Sequence, residues 1–441
     1  MPQVAENLNG GRRAGDSFYT GQELSDGAKP RNRQRVVEHM RAITDRSVTT
    51  YAIVGADYQG LRPAPKVAVG DTVRAGQVLL TDRTHPRVAI VAPMAGKVAS
   101  IDYGPRRTLS ALVIDGATSV NAPPPVEKRE KMTRESLRGT LLAQGLWPAL
   151  RTRPFGRFPD PDRVPNAIFV TATDSEPLAP DPRAYLASRE QAFRAGVALL
   201  ALLTDGPVYV CQSAGAALVE ETPRIRNVVF DGAHPAGLAS AQIETLYPVG
   251  LGQEVWTIDC QDTAAVGQLI ETGYFDPARI VAVTNAQTQQ SELIRTIPGA
   301  SLRELAGSTD QMMSGSQLAG RKANWLGRFH RQITTGVADA HPSGSARARP
   351  LFSALMKPGG QQRNLPHAII PTSALERTLP PHILPVPLMR ALSIGDTETA
   401  ARLGALSLIE EDMALLTSRC TSGADYGSLL RHALDDLEGE A

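Results

Sequence analysis

The sequence predicts an α/β multidomain protein: a small β-sandwich, a doubly wound parallel-sheet unit, a second mixed β unit and a helical C-terminus. Three observations carry this prediction. Between residues 54 and 114, apolar residues alternate (Val67, Val69, Val73, Val78, Leu80) and are broken by Gly70-Asp71 and Ala75-Gly76, the pattern of short half-buried strands joined by tight turns. Between residues 167 and 241, apolar runs of strand length alternate with helical stretches. From residue 384 the segments L-P-V-P-L-M-R-A-L, D-T-E-T-A-A-R-L-G-A and 426–437 read as helices.

The elements follow in order. Residues 1–50 form a polar N-terminal extension rich in Gly, Arg and Asn, and at least its first half reads as flexible or loosely attached. Val36, Val37, Met40 and Ile43 fall near helical spacing and predict a short helix over 34–44. Residues 51–120 carry G-D-x-V-x-x-G-Q-x-L and A-P-x-x-G-x-V units, whose spacing matches a barrel-sandwich hybrid, the biotinyl/lipoyl-like β-sandwich. A carrier of that kind needs an exposed hairpin lysine, but Met94 is followed by Ala95, so the fold is expected without the carrier chemistry. A stiff Pro-rich linker is expected at 121–126. Thr133 can cap a helix that puts Leu137, Leu141 and Leu142 on one face and ends at Gly145.

Residues 121–254 are assigned to a Rossmann-like α/β domain. A strand begins near Ile168. A helix begins at Asp181-Pro182 and runs through Leu203. Further strands begin at Val208 and Arg226, with a short helix over 215–221 between them. From 255 to 340 the signals turn β-rich: strands from Val255 and Arg279, a helix over 261–272, and a tight turn into a short helix within 295–307. One helix across a small mixed sheet resembles a β-grasp module of the ligand-binding type. Residues 341–441 read as a polar loop (341–349) and the C-terminal helical region.

Composition narrows the function. The chain has 441 residues and a formal net charge of +1, with no long run of one sign, which argues against a general nucleic-acid binder. The longest apolar stretch, 195–203, is far short of a membrane span, and M-P-Q-V-A-E-N-L-N-G is not a secretory leader. A cytosolic location is expected, with docking on a membrane complex left open. The three cysteines (Cys211, Cys260, Cys420) form no C-x-x-C pair and do not reach the usual four ligands of a cluster. They read as buried or partly buried free thiols in a reducing compartment. No G-x-G-x-x-G closes a candidate strand. Asp115-Gly-Ala-Thr118 is similar to a site of phosphoester-linked flavin attachment, but Leu112 and Asp115 stand where an acid and a Ser or Thr are needed; a strand-end turn is the better reading.

Longer segments are more specific. They are V-G-A-D-Y-Q-G-L-R-P (54–63), G-L-W-P-A-L-R-T-R-P-F (145–155), I-F-V-T-A-T-D-S-E-P-L-A (168–179), G-A-H-P-A-G-L (232–238), D-P-A-R-I-V-A-V (276–283), R-T-I-P-G-A-S-L-R-E-L (295–305), W-L-G-R-F-H-R-Q-I (325–333), E-R-T-L-P-P-H-I-L-P (376–385) and G-D-T-E-T-A-A-R-L-G-A-L-S-L-I-E-E-D-M-A-L (395–415). In this collinear order the chain resembles the A-subunit family of the sodium-translocating NADH:quinone reductases. That family is related to the flavin subunit of complex I and to the C subunit of the ferredoxin:NAD oxidoreductase. Two departures stand out: the usual G-L-D-L-P-I opening is replaced by residues 1–50, and the region from 333 to 375 is short and lacks a W-x-x-P-G element.

The resemblance implies a peripheral subunit on the cytoplasmic side of the bacterial inner membrane, without catalysis or bound cofactor of its own. It would serve a translocase that passes electrons from NADH to ubiquinone and exports sodium. Flavins and iron–sulfur centres are expected in partner subunits. The resemblance also attributes quinone-head contacts to residues 54–61 and 150–157. A quinone is a flat apolar ring with two carbonyl acceptors and suits an aromatic wall plus donors. Tyr58 and Phe155 are the candidate ring contacts, Arg62, Arg151 and Arg153 the donors, and Gly60 lies in the first segment. The competing reading is that Arg62 and Arg151 pin the β-module to the α/β domain. His234, after a predicted strand, is a candidate proton donor or else a turn histidine bonded to backbone. Two other functions compete: a flavin-binding dehydrogenase subunit like that of complex I, and a non-redox scaffold or binding protein outside the complex.

Overall fold

Short alternating strands build the first unit of the computed structural model, which describes residues 43–118, 132–307, 312–337 and 368–440. Strands β1 (Ile43–Asp45), β2 (Tyr51–Val54), β3 (Pro63–Pro65), β4 (Thr72–Val73), β5 (Val78–Asp82), β6 (Ala89–Val91), β7 (Ala95–Tyr103) and β8 (Leu109–Thr118) come first. β2-β8-β7-β4 form one antiparallel sheet and β3-β5-β6 another. Their inward residues, among them Val73, Leu80, Ile90, Val98, Leu112 and Ile114, are buried in one core, as two facing sheets with period-two side chains require. Asp115 and Gly116 lie inside β8 beside an irregularity in its pairing with β7, not at a strand end.

The second unit begins with α1 (Arg134–Ala143). As expected, Thr133 caps it: the Ser136 amide donates to the Thr133 hydroxyl, and the Thr133 amide donates to the Ser136 hydroxyl at 2.9 Å. Then come β9 (Arg151–Arg153), β10 (Ala167–Ala172), α2 (Pro182–Leu186), α3 (Glu190–Leu203), β11 (Val208–Gln212), β12 (Ile225–Val229), α4 (Ala239–Leu246), β13 (Val255–Asp259) and α5 (Cys260–Thr272). The sheet order is β12-β11-β10-β13-β9; the first four are parallel and β9 is antiparallel. Helices α1, α3 and α5 cover one face, and α4 covers the other.

Three expectations are corrected here. The helix from 182 to 203 is two helices, because Arg189 leaves helical geometry (φ −132°) and sends its guanidinium to Gln268 of α5 at 2.9 Å. Residues 215–221 form no helix. The Gln212 side chain takes over the local backbone groups: its carbonyl accepts from the Leu218 amide (2.9 Å) and its amide donates to the Ala216 carbonyl (3.1 Å). The strand from Val255 does not open the third unit. It pairs with β10 along five residues, so β13 and α5 belong to the α/β layers and the boundary expected at 254 falls after them.

The third unit contains β14 (Arg279–Asn285), β15 (Ser291–Thr296), α6 (Leu302–Ala306), β16 (Met313–Ser314), β17 (Arg321–Lys322) and β18 (Gln332–Thr335). Its mixed sheet runs β1-β15-β14-β18-β16-β17. Its first strand comes from the polar N-terminal segment: Ile43, Thr44 and Asp45 pair in parallel with Leu293, Ile294 and Arg295. Positions 43 and 44 of the expected helix over 34–44 are therefore strand, since a sheet edge satisfies backbone groups that an isolated helical turn would leave to solvent. The rest of that helix, the flexible first half of the extension, the linker at 121–126 and the loop at 341–349 lie outside the described residues. Helices α7 (Pro385–Ile394), α8 (Thr397–Arg402), α9 (Ala414–Arg419) and α10 (Tyr426–Glu440) close the chain around Leu388, Leu408, Leu416, Leu430 and Leu434.

Candidate functional site

The first three units meet at a cleft of about 60 Å³, partly open to solvent. The close approach is local in origin. Gly299 takes φ 77°, and a Cβ there would lie 2.1 Å from the Ala52 carbonyl oxygen, so only glycine lets the turn after β15 touch β2. Ile53, Ile90, Val91, Phe275 and Pro298 make the walls mostly apolar. Asp57, Tyr58, Asp262, Arg279 and Arg328 supply the polar side.

Those charges are committed to one another. Arg328 forks onto Asp262 (Nη2–Oδ1 2.8 Å, Nη1–Oδ2 3.1 Å), and its backbone amide donates to Asp57 at 2.9 Å. Arg279 reaches Asp262 at 2.7 Å and Asp259 at 3.5 Å. Arg331 joins Asp259 to Asp174, at 3.0 Å each. Acid and base therefore alternate along a buried row: Asp174, Arg331, Asp259, Arg279, Asp262, Arg328. Burial works against an ionised Asp262, but Arg279 and Arg328 outweigh it and hold the carboxyl below the ordinary aspartate range. Tyr58 differs. Burial pushes its phenol up to about 12, so it stays protonated, and among the described residues its hydroxyl has no hydrogen-bond partner. It is an uncommitted donor in a largely apolar cleft.

The other residues singled out from the sequence are not brought to this cleft. Gly60, at φ 78°, is exposed, and a Cβ there would meet the Arg157 side chain at 2.9 Å. Arg62 is exposed, and only its backbone groups bond locally, to Asp82 and Arg83. Arg151 pairs with Glu411 at 3.3 Å and lies 4.7 Å over the Phe329 ring. It thus pins the C-terminal region rather than the β-module. Arg153 is buried and donates to the Ser407 and Thr152 carbonyls, each at 3.2 Å. Phe155 packs on the C-terminal core, and its carbonyl accepts from Arg431 at 2.8 Å. His234 Nδ1 lies 3.2 Å from the Ser175 hydroxyl, and Nε2 is buried without a partner among the described residues. Burial lowers the His234 pKa, with Asp174 opposing.

Asp57, Asp262, Arg279 and Arg328 escaped the sequence reading. The one signal was W-L-G-R-F-H-R-Q-I, where charged and aromatic residues crowd between apolar ones. In the structure Arg328 turns to Asp262, Phe329 to Arg151, His330 to Ser314 and Arg331 to Asp174.

Glu176 sits on the same seam and accepts from the Ser316 hydroxyl at 2.7 Å. Burial, reinforced by Asp174 and Glu411, pushes its carboxyl from 4.5 up to about 7. Between those values the folded chain binds more protons than the unfolded one, so this acid makes stability fall as pH rises. Glu176→Gln is expected to flatten that fall. The check is the thermal midpoint of parent and variant at about pH 5 and about pH 8.

Among the described residues, no group of three or more His, Cys, Asp and Glu is placed to hold a metal ion, and no helix is long and apolar enough to cross a membrane. Cys211 and Cys260 are buried free thiols and Cys420 is half-buried, as expected.

Comparison with known proteins places this geometry. A family model described as NqrA N-terminal barrel-sandwich hybrid domain matches residues 36–117, and one described as NqrA second alpha/beta domain matches residues 132–275. Both agree with the first two units described above. The A subunit of the Na(+)-translocating NADH-quinone reductase of Pseudomonas aeruginosa PAO1 is 38% identical over 423 residues, covering 90% of this chain and 95% of that protein. The corresponding protein of Pasteurella multocida is 37% identical over 89% of this chain and 94% of its own length. That of Serratia proteamaculans is 38% identical over 91% and 96%. A solved NAD+-reducing [NiFe]-hydrogenase chain aligns with 69% of this chain and 61% of its own, at 14% identity and a TM-score of 0.36, too low to carry an argument.

Proposed function

We propose, from the premise that this chain belongs to the A-subunit family of the sodium-translocating NADH-quinone reductases, that its three-unit cleft receives the head of ubiquinone. The chain supports a sodium-pumping NADH:quinone reductase as one subunit of that oxidoreductase complex. In this reading it docks peripherally on the cytoplasmic side of the membrane, against partner subunits that carry the flavins and iron–sulfur centres. The strand order of the α/β unit supports a Rossmann-like label, and the six-stranded sheet with α6 supports a β-grasp one.

One observation carries the quinone reading: a cleft with apolar walls and mutually paired charges, whose only uncommitted side-chain donor among those named is the Tyr58 phenol. A quinone carbonyl accepts one such bond, and the ring replaces water along Ile53, Val91 and Phe275. Phosphates of a flavin or dinucleotide would instead need a free cation. Arg279 and Arg328 hold carboxylates, and giving them up would leave buried acids unpaired. The charge pattern therefore favours an uncharged ring over the flavin-binding alternative. Of the residues read from the sequence, Tyr58 is assigned to the ligand, and Arg151, Arg153 and Phe155 become struts for the C-terminal helices.

Tyr58→Phe is expected to weaken ubiquinone-analogue binding roughly tenfold, the worth of one hydrogen bond, with the fold unchanged. Equilibrium titration of the folded variant checks it. An affinity equal to that of the parent would remove Tyr58 from the ligand.

A further inference from the structure

The chain passes from β10 to β11 to β12 and then returns across the sheet to β13 on the other side of β10. The strand order therefore reverses between β10 and β13. In open parallel sheets, the crevice beyond the carboxyl ends of two such strands is where ligands bind. Both ends carry an acid here. Asp259 is the last residue of β13, and Asp174 follows β10 by two positions. Their side chains are 16% and 4% exposed.

The crevice is occupied. Arg331, on the approach to β18 in the six-stranded sheet, puts Nη1 3.0 Å from Asp259 and Nη2 3.0 Å from Asp174. Its backbone carbonyl accepts from the Ala282 amide at 2.9 Å, which anchors it to β14. Tyr185 lies in the same electrostatic neighbourhood, fully buried, and its hydroxyl has no partner among the described residues. The other oxygen of Asp259 faces Arg279 at 3.5 Å. A planar fork suits this task, because two of its nitrogens can serve two carboxylates at once; a lysine ammonium is a single point.

We infer that the crevice at the strand-order reversal is a guanidinium site that the chain fills from within. Arg331 occupies the position of a ligand in the α/β unit, closes that position to others, and fastens the six-stranded sheet to it.

An internal ligand can be replaced by an external one. In the full chain, Arg331→Ala removes the fork and leaves Asp174 without its cation. The thermal midpoint is expected to fall by roughly 10 °C. Millimolar guanidinium chloride should then raise the midpoint of Arg331→Ala above its value in sodium chloride of equal ionic strength, and should give the parent no such rise. Asp174→Asn is the second variant. It keeps Arg331 but removes half its seat, so it should lose part of the midpoint and gain nothing specific from guanidinium. A midpoint for Arg331→Ala equal to that of the parent, or a response to guanidinium no larger than to sodium, overturns the inference. If Arg331→Ala yields no folded protein, an Asp174→Asn variant as stable as the parent overturns it.

Discussion

Replacing Asp262 by alanine is expected to destabilise the protein by roughly 3–5 kcal/mol, the cost of removing one partner from a buried ionic cluster. Asp262 is 4% exposed and receives both Arg279 and the Arg328 fork. Its loss strands the Arg328 guanidinium in the interior and leaves Arg279 only Asp259 at 3.5 Å, whereas a surface pair of the same geometry contributes at most about 1 kcal/mol. The pH dependence has a definite sign. The folded carboxyl is held below its ordinary range, so its contribution is complete above the unfolded value near about 4 and is lost as pH falls through the folded one. The gap between parent and variant, read by denaturant unfolding, should be widest near about pH 7 and should narrow below about pH 4. A gap independent of pH would mean that packing, not charge, holds the seam.

The second large effect lies at the crossing of α3 and α5. A Cβ on Gly267 would sit 1.8 Å from the Ala192 carbonyl oxygen, and one on Gly196 would sit 2.0 Å from the Thr263 carbonyl oxygen. Backbone cannot yield as a side chain does, so the helices must part. Gly267→Ala gains about 1 kcal/mol of helix propensity and loses more to the clash; a net loss of roughly 2–3 kcal/mol is expected. Gly139→Ala is the control. That residue is exposed on α1 with nothing within 4 Å of its added methyl, so the same substitution should stabilise by up to about 1 kcal/mol. Two variants of identical chemistry should thus move the unfolding midpoint in opposite directions.

Much of the fold was legible because its signals are local. The sandwich strands alternate, Thr133 announces its helix, and the apolar runs at Val208 and Arg279 are strands. The misreadings have physical causes. A strand buried on both faces, such as β13, looks the same in any sheet, so sequence alone does not say which one it joins. β1 is three exposed residues that become strand only because β15 offers an edge. The helix expected over 215–221 loses to one glutamine side chain that supplies the competing hydrogen bonds. The site divides in the same way. Tyr58 was readable as an aromatic beside a glycine turn, but its ionic surroundings were not: Asp57 and Arg328 are 271 positions apart. Residues 150–157 do not line this cleft, and a motif of Arg, Pro and Phe reads alike whether it faces a ring ligand or a helix.

The pairing of β1 with β15 sets a timetable for synthesis. Ile43 leaves the ribosome well before its partner Leu293, which lies more than half of these 441 residues further on. Thr49 and Thr50 wait as long for Glu304, which accepts their amides at 2.6 and 3.1 Å. These residues must therefore wait for their partners until the third unit emerges, so a seam whose two sides are made so far apart is among the later ones to close.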